Sequence, residues 1–272
     1  MNILGFGSAG RKIANLFEKY PQYSVYYIDA NIKGPCSFSL PSSKTPEDAE
    51  KNVSFLNLPN FEEAIVILAG SGATSGALLK VLEQIKSANI TIIYVRPDVN
   101  LLNEEEQVWQ NVIFSVLQEY ARSGPFKHIY LIDNCSVANI VGDLSIIEYH
   151  DKINEVLVNS FHMLNYLKNS SSIMGNIFKA KDINRIATLG IYDIENGVEK
   201  YFFDLENIKE KHFYFALTEE TLNKEKNLLN KISKQVKKAG QPETTVALYD
   251  ITSTTYETNF AYIAAYTNFI QN

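Results

Sequence analysis

Cysteine is scarce in this 272-residue sequence, and its two copies, Cys36 and Cys135, lie far apart in the chain. Neither has a His or Cys neighbour at the spacing of metal ligands, so we expect neither a disulfide framework nor a metal site. A chain without structural disulfides suits a reducing compartment. A cytoplasmic location is therefore expected.

Basic charge and long apolar runs are also lacking. The chain has 25 Lys and Arg against 31 Asp and Glu, a formal net charge of -6. Binding to nucleic acid needs a basic footprint that this composition does not supply. No apolar run approaches the roughly 20 residues that cross a bilayer. We expect a soluble protein that binds neither nucleic acid nor a membrane.

What the sequence does contain is an alternation of strand and helix patterns. Short apolar runs occur at residues 2–6, 23–28, 65–68, 90–95 and 128–132. Helix-like stretches follow most of them. The pattern predicts an α/β domain over residues 1–145, with a parallel sheet that binds ligands at the carboxyl ends of its strands. A long central helix is predicted over residues 146–168.

The pattern changes in the remainder of the chain, residues 169–272. Strands are predicted at residues 185–194, 199–205, 211–217, 244–252 and 260–267. A single helix is predicted over residues 218–239, with Thr218 as its N-cap and Gly240 after its end. This part is therefore predicted to be a smaller α+β domain.

Two glycine-rich turns follow predicted strands of the first domain. The first, Gly5-Phe-Gly-Ser-Ala-Gly10, precedes a helix, and Asp29 follows about 20 residues later. That combination is typical of dinucleotide-binding folds. A nicotinamide- or flavin-dependent oxidoreductase is therefore one interpretation of the N-terminal region.

The second turn, Gly70-Ser-Gly-Ala-Thr-Ser-Gly76, has three glycines, three hydroxyls and no charge, and it precedes an apolar helix-like stretch. Small residues let the backbone approach a ligand closely, and free N–H groups at a helix start attract anions. The sequence therefore predicts a phosphate site here. A tight turn that only packs a helix on the sheet is the alternative.

With both turns, the long helix and the α+β region together, the chain resembles the tubulin/FtsZ family over nearly its whole length. The segment Gly7 to Ile13 matches the family's first phosphate loop, G-x-x-G-x-x-I. The segment Gly70 to Gly76 stands where the family has G-G-G-T-G-[ST]-G and departs from it at Ser71, Ala73 and Thr74. The resemblance implies phosphate binding by Gly7, Ser8, Ala9, Gly10, Lys12, Gly70, Ser71, Gly72, Ala73, Thr74, Ser75 and Gly76.

Guanine recognition is also implied by the resemblance. Asn134 stands where family members place their first guanine-reading asparagine, and Asn154 in the long helix matches the second. His150, one turn before Asn154, stands where the family stacks an aromatic ring on the base. An asparagine amide offers the acceptor and donor that complement guanine.

For hydrolysis the resemblance is incomplete. The family carries an N-x-D-x-x-D-like loop after the long helix, and residues 178–185 correspond to it. Asp182 is the one candidate catalytic carboxylate, because Ala180 and Arg185 replace the asparagine and the second acid. The resemblance implies GTP or GDP as ligand, with Mg²⁺ as a possible companion, and head-to-tail self-association into filaments with slow or impaired hydrolysis. Whether the chain is an enzyme stays open, and a structural protein of this fold without nucleotide is a further alternative.

Overall fold

A computed structural model of the protein describes residues 1–240 and 245–272. Residue contacts divide it into two compact units. The first comprises Met1–Val158 and Ile270–Asn272, and the second comprises Asn159–Phe269. The three-part domain division drawn from the sequence stays a prediction.

Strand and helix alternate along the first unit. Its strands are β1 Asn2–Phe6, β2 Ser24–Ala30, β3 Ser37–Leu40, β4 Glu63–Leu68, β5 Asn89–Arg96 and β6 His128–Asp133. Its helices are α1 Gly7–Asn15, α2 Pro46–Asn52, α3 Leu78–Gln84, α4 Glu104–Ser123, α5 Asn134–Val141 and the first part of α6 Tyr149–Lys168. Short 3₁₀ helices occupy Ala73–Ala77 and Val99–Leu101.

All the described strand pairs within the first unit are parallel, in the order β3-β2-β1-β4-β5-β6. Apolar runs fill the central strands because both faces of such a sheet are covered. In β4, for example, every residue after Glu63 is buried. The predicted α/β class and the parallel sheet are confirmed.

Two elements of the first unit were not predicted. Strand β3 lies in a stretch rich in Pro and Ser, where the composition favoured an exposed loop. Helix α5 begins immediately after β6, because the carboxylate of Asp133 ends the strand and accepts the N–H of Ser136 at 3.1 Å as a helix cap.

The long helix α6 begins at Tyr149, three residues later than predicted. Ile146 and Ile147, which the predicted helix included, are 95% and 91% exposed. The Ser145 hydroxyl donates to the Glu148 carboxylate at 2.7 Å in the turn before the helix. The apolar pattern was misleading here because these two isoleucines do not enter the core.

The second unit is α+β, as predicted. After the end of α6 it contains β7 Met174–Gly175, β8 Ile186–Asp193, β9 Val198–Tyr201, β10 Glu210–Thr218, α7 Glu219–Lys224, α8 Leu228–Ala239, β11 Val246–Thr254 and β12 Phe260–Thr267. The strand order is β9-β8-β12-β10-β11-β7. Strands β10 and β11 are parallel, and helices α7 and α8 supply the crossover that a parallel pair needs.

The single helix predicted over residues 218–239 is in fact two helices. Asn227 adopts a left-handed conformation with φ of 66° between α7 and α8, which interrupts the helical path. Thr218 caps α7 as predicted, with its side chain accepting the N–H of Thr221 at 3.2 Å.

Two predicted strands of the second unit differ from the structure in their bounds or their coverage. The predicted strand over 199–205 ends at Tyr201. The first residue of the predicted strand over 244–252 lies outside the described residues.

A buried polar pair lies at the start of β10. The Nε2 atom of His212 is 3.3 Å from a carboxylate oxygen of Glu210, and the two residues are only 2% and 4% exposed. Burial, together with the nearby Lys168 ammonium, lowers the pKa of His212 to about 4, although Glu210 opposes the shift. The folded protein therefore holds His212 neutral.

This pair generates a prediction on pH and stability. An unfolded histidine titrates near pH 6.5, so between about pH 6.5 and 4 the unfolded chain binds a proton that the folded chain does not. Stability should fall as the pH falls through that window, by up to roughly 1 kcal/mol per pH unit from this group. Urea unfolding from pH 7.5 to 4.5 should show a shallower fall for His212→Gln than for the wild type. The exposed His150→Gln is the control, and parallel curves for His212→Gln and wild type would contradict the assignment.

Candidate functional site

A cavity of about 340 Å³ lies at the carboxyl ends of the parallel strands in the first unit. Residues from both glycine-rich turns and from the predicted base-binding set line it together. The lining residues from these three groups are Gly7, Ser8, Ala9 and Lys12, then Ser71, Gly72, Thr74 and Ser75, and then Asn134, His150 and Asn154. The edge of the sheet predicted for ligand binding therefore holds a real cavity.

Helix α1 presents its N-terminus to this cavity. Its N-cap is Phe6, whose side chain makes no capping hydrogen bond. The first backbone N–H groups of a helix have no intrahelical partner, and the helix dipole adds partial positive charge there. Lys12, in the last turn of α1, adds a basic side chain to the cavity lining. An anion is the complementary ligand for this part of the cavity.

The predicted glycines divide between lining the cavity and packing the fold. A Cβ at Gly10 would overlap the backbone carbonyl of Ile67 in β4, and a Cβ at Gly76 would overlap the backbone of Pro46 in α2. A Cβ at Gly70 would lie 2.7 Å from the Tyr94 hydroxyl. These three glycines, with Ala73, are absent from the lining, so the structure accounts for Gly10, Gly70 and Gly76 by close packing.

Gly7 and Gly72 are different. A Cβ at either position would meet no atom within 4 Å. Gly7 has a φ of +69°, a conformation that favours glycine, whereas Gly72 has an ordinary φ of −93°. Nothing in the protein itself therefore requires Gly72 to be small, and the space beside it belongs to the cavity.

Two polar atoms in the cavity wall are buried without a partner. Ser75 is 3% exposed and Asn134 is 8% exposed. Neither Oγ of Ser75 nor Oδ1 of Asn134 has a hydrogen-bond partner among the described residues. Buried polar atoms are nearly always paired in folded proteins, and both of these unpaired atoms belong to residues that line the cavity.

A charge pair fixes the segment that carries Asn134. The Asp133 carboxylate accepts from Arg96 Nε at 3.2 Å and from the Ser136 hydroxyl at 2.8 Å. Arg96 also donates to the backbone oxygen of Asn272 at 3.3 Å. Asn134 is the first residue of α5, so its position follows from these contacts to the preceding Asp133.

Helix α6 contributes two further lining residues. His150 and Asn154 are four residues apart and both line the cavity, as expected for neighbours on one helix face. The His150 ring contacts the Tyr149 ring edge to face, with ring centroids 5.2 Å apart. A flat ring and an amide therefore face the same space.

Asp29 also lines the cavity. It is the acidic residue on which the oxidoreductase interpretation depends. Its carboxylate already accepts from Arg11 at 3.2 Å and from the backbone N–H of Ala30 at 2.8 Å. Asp29 is thus a residue of this wall that the base-and-phosphate assignment did not include. Ile13 of α1, the last position of the first glycine-rich motif, also lines the cavity. Phe6, Ala69, Val95 and Pro97 complete the lining and carry no sequence signal beyond their position at strand ends.

Asp182, the candidate catalytic residue, belongs to the second unit and is absent from the cavity lining. Its side chain is 75% exposed and forms an ion pair with Lys179 at 2.7 Å. An exposed pair of this kind contributes little to stability. Asp182 therefore lies on the surface of the second unit.

A second, larger cavity of about 910 Å³ shares Lys12 and Asn154 with the first. None of the buried, unpaired polar atoms found in the described part of the chain lines it. Within residues 1–240 and 245–272, no three His, Cys, Asp or Glu side chains group as metal ligands. Over the same residues, no helix has the length and apolar character to cross a membrane.

Comparison by sequence finds no family model and no curated protein that matches the chain. Comparison by structure does find similar proteins. An FtsZ dimer from M. jannaschii superimposes with a TM-score of 0.69 at 14% identity, covering 98% of this chain and 87% of that chain. GDP-form protofilaments of TubZ from Bacillus thuringiensis serovar israelensis give 0.73 at 14%, covering 98% and 86%. CetZ2 from Haloferax volcanii, in a GTPγS-bound protofilament, gives 0.69 at 13%, covering 97% and 92%.

This chain has a tubulin/FtsZ-like fold. The similarity spans nearly all of the chain and most of each relative, and it confirms the resemblance inferred from the glycine-rich turns. At 13–14% identity, this structural similarity establishes only the fold of the FtsZ-like chain. The roles of individual residues have to be argued from the geometry of the cavity.

The two kinds of glycine give a direct prediction. Gly76→Ala places a Cβ against the Pro46 backbone, so the fold must shift, and we expect a loss of about 1 to 3 kcal/mol of unfolding free energy. Gly72→Ala enters open space at an ordinary φ and should change stability by less than about 0.5 kcal/mol. Urea denaturation of both variants measures the difference. Equal stability of the two would show that the close approach at Gly76 is not rigid.

Proposed function

We propose that this chain binds guanine nucleotides in the 340 Å³ cavity and self-associates head to tail into cytoskeletal filaments with slow GTP hydrolysis. The observation that carries the proposal is the pair of unpartnered, buried atoms, Ser75 Oγ and Asn134 Oδ1, in a cavity that also has the uncapped start of α1. The uncapped helix start suits phosphate, and the Asn134 amide suits a hydrogen-bonding base.

The phosphates would lie against α1 and the central loop. The N–H groups of the first turn of α1, the Lys12 ammonium and the Ser75 hydroxyl supply donors there. The open space beside Gly72 leaves room for a phosphoryl group. Mg²⁺, where it accompanies the triphosphate, would be held mainly by the phosphate oxygens.

The base would lie between Asn134 and α6. Guanine presents N1–H and N2–H donors, and the unpartnered Asn134 Oδ1 is an acceptor. Asn154 offers a second amide and His150 a ring for stacking on the same helix. Adenine would leave these groups mispaired, which typically costs about 1 to 3 kcal/mol for each buried group.

Nucleotide choice is therefore a prediction. Calorimetric titration should show GTP and GDP binding at least about tenfold more tightly than ATP. Asn154→Ala should weaken GTP by about tenfold, whereas Asn159→Ala, on an exposed position of the same helix, should not. Gly72→Val should abolish binding without unfolding the protein, because its side chain fills phosphate space only.

Identifying the small molecule that co-purifies with the protein distinguishes the proposed function from its alternatives. Guanine nucleotide would support the proposal. A nicotinamide or flavin dinucleotide would support the oxidoreductase interpretation, which the position of Asp29 in the cavity wall favours. Equal affinity for GTP and ATP would defeat the assignment of Asn134 and Asn154.

Self-association is proposed because three structures of this fold are described in dimers or protofilaments, and because Phe178, Asp182 and Ile183 of residues 178–185 are exposed. In this arrangement the segment of one copy completes the cavity of the next, so the interface is heterologous and can propagate. Asp182 is then the carboxylate that polarises the attacking water. With one carboxylate instead of two, hydrolysis should be slow.

GTP-dependent assembly and slow hydrolysis are tested by separate measurements. The intensity of scattered light and the fraction of pelleted protein should rise with GTP and stay low with GDP or without nucleotide. Phosphate release should be slow and should fall by at least about tenfold in Asp182→Ala, since removing a general base typically costs about 10²-fold or more. A strict monomer under all three conditions would refute self-association, and brisk release that persists in Asp182→Ala would refute the role of Asp182.

A further inference from the structure

Glu210, the first residue of β10, is a buried carboxylate that accepts hydrogen bonds from three donors in the second unit. Its side chain is 5% exposed. One oxygen accepts the backbone N–H of Lys181 at 3.0 Å and a short bond from the side-chain amide of Asn184. The other oxygen lies 3.3 Å from Nε2 of His212. Charge-assisted bonds of this kind are stronger than neutral ones, so the cluster is a rigid attachment point.

Two of these three donors belong to residues 178–185, the segment proposed above to act on the next copy. Its inward side chains are Ala180 and Asn184, at 7% and 3% exposure. Its outward residues Phe178 and Ile183 are 75% and 64% exposed, and the Asp182 side chain is 75% exposed. The N–H of Asn184 also bonds the Lys181 carbonyl at 2.8 Å, which closes a turn around Asp182.

His212 secures the carboxylate from the other side. It is neutral in the folded protein, and because its neighbour is a carboxylate, its Nε2 donates the hydrogen. Its ring packs on Tyr266 with centroids 4.9 Å apart, and Lys168 donates to the Tyr266 hydroxyl at 3.1 Å. Glu210 is thus held by the sheet of the second unit on one side and holds residues 178–185 on the other.

We propose that Glu210 is a positioning residue that holds residues 178–185 in the conformation that completes the nucleotide cavity of a second copy of this chain. The inference rests on the proposed function. Glu210 touches no nucleotide itself. It acts through the Lys181 amide and the Asn184 side chain, which flank Asp182 on either side in the sequence.

Glu210→Gln in the full chain tests this. The glutamine keeps the volume, but its NH₂ group cannot accept from the donors that surround it. Hydrogen–deuterium exchange should quicken at least about tenfold at Lys181 and its neighbours, because a lost charge-assisted bond is worth about a factor of ten or more. GTP affinity of the unassembled protein should stay within about twofold, since the cavity belongs to the first unit, while phosphate release from assembled protein should fall at least about tenfold. Glu219→Gln, an exposed carboxyl just after the same strand, should leave all three readouts unchanged.

Asn184→Ala is the second variant. It removes one donor and leaves the carboxylate in place, so it should move exchange and phosphate release in the same direction even if Glu210→Gln does not fold. Unchanged exchange at residues 178–185 in the folded variants would overturn the inference. So would faster exchange with wild-type phosphate release from assembled protein. Failure of the wild type to assemble with GTP would instead overturn the proposed function, and this inference with it, whatever the exchange shows.

Discussion

The close approach of helix α1 to the central strands is the constraint on which the first unit depends. This close approach is possible only because Gly10 of α1 has no side chain, since a Cβ there would overlap the backbone carbonyl of Ile67 in β4. A Cβ at Gly5 would likewise lie 2.7 Å from the Ala14 side chain and from the Gly10 carbonyl. Because α1 packs this tightly, its uncapped N-terminus lies at the edge where the strands end. The floor of the cavity is therefore a consequence of backbone packing.

The central loop depends on the same kind of packing at different glycines. Gly70 fits against Tyr94, and Gly76 fits against the Pro46 backbone, which brings the start of α2 beside the short 3₁₀ helix. Between them, Gly72 borders open space. The motif therefore combines residues that shape the loop with one that leaves room for a ligand. Ser71 and Thr74, where the chain departs from the family's pattern, line the cavity and add hydroxyls to it.

In both units, buried charge is used for positioning. Asp133 joins Arg96 to the start of α5 and so places Asn134 in the cavity wall. Glu210 joins His212 to residues 178–185. Each carboxylate is satisfied by several donors, which offsets the cost of burying its charge. In contrast, Ser75 and Asn134 keep unpaired atoms, and these two lie in one cavity. Two of the buried side-chain atoms without a partner in the described residues therefore belong to the lining of one cavity.

The sequence by itself determined the class of the fold, the parallel sheet implied by alternating strands and helices, and the two glycine-rich turns whose residues line the cavity. Local patterns carry those features because apolar periodicity and glycine content act within a few residues. It did not determine that Ile146 and Ile147 are exposed or that Asn227 breaks the last helix, because burial and backbone breaks depend on distant neighbours. Nor did it show which glycines pack and which face the cavity, or that Glu210 meets Lys181 and Asn184. Only the tertiary structure decides these, because each contact joins segments that are separated in the chain and meet only when the sheets have formed.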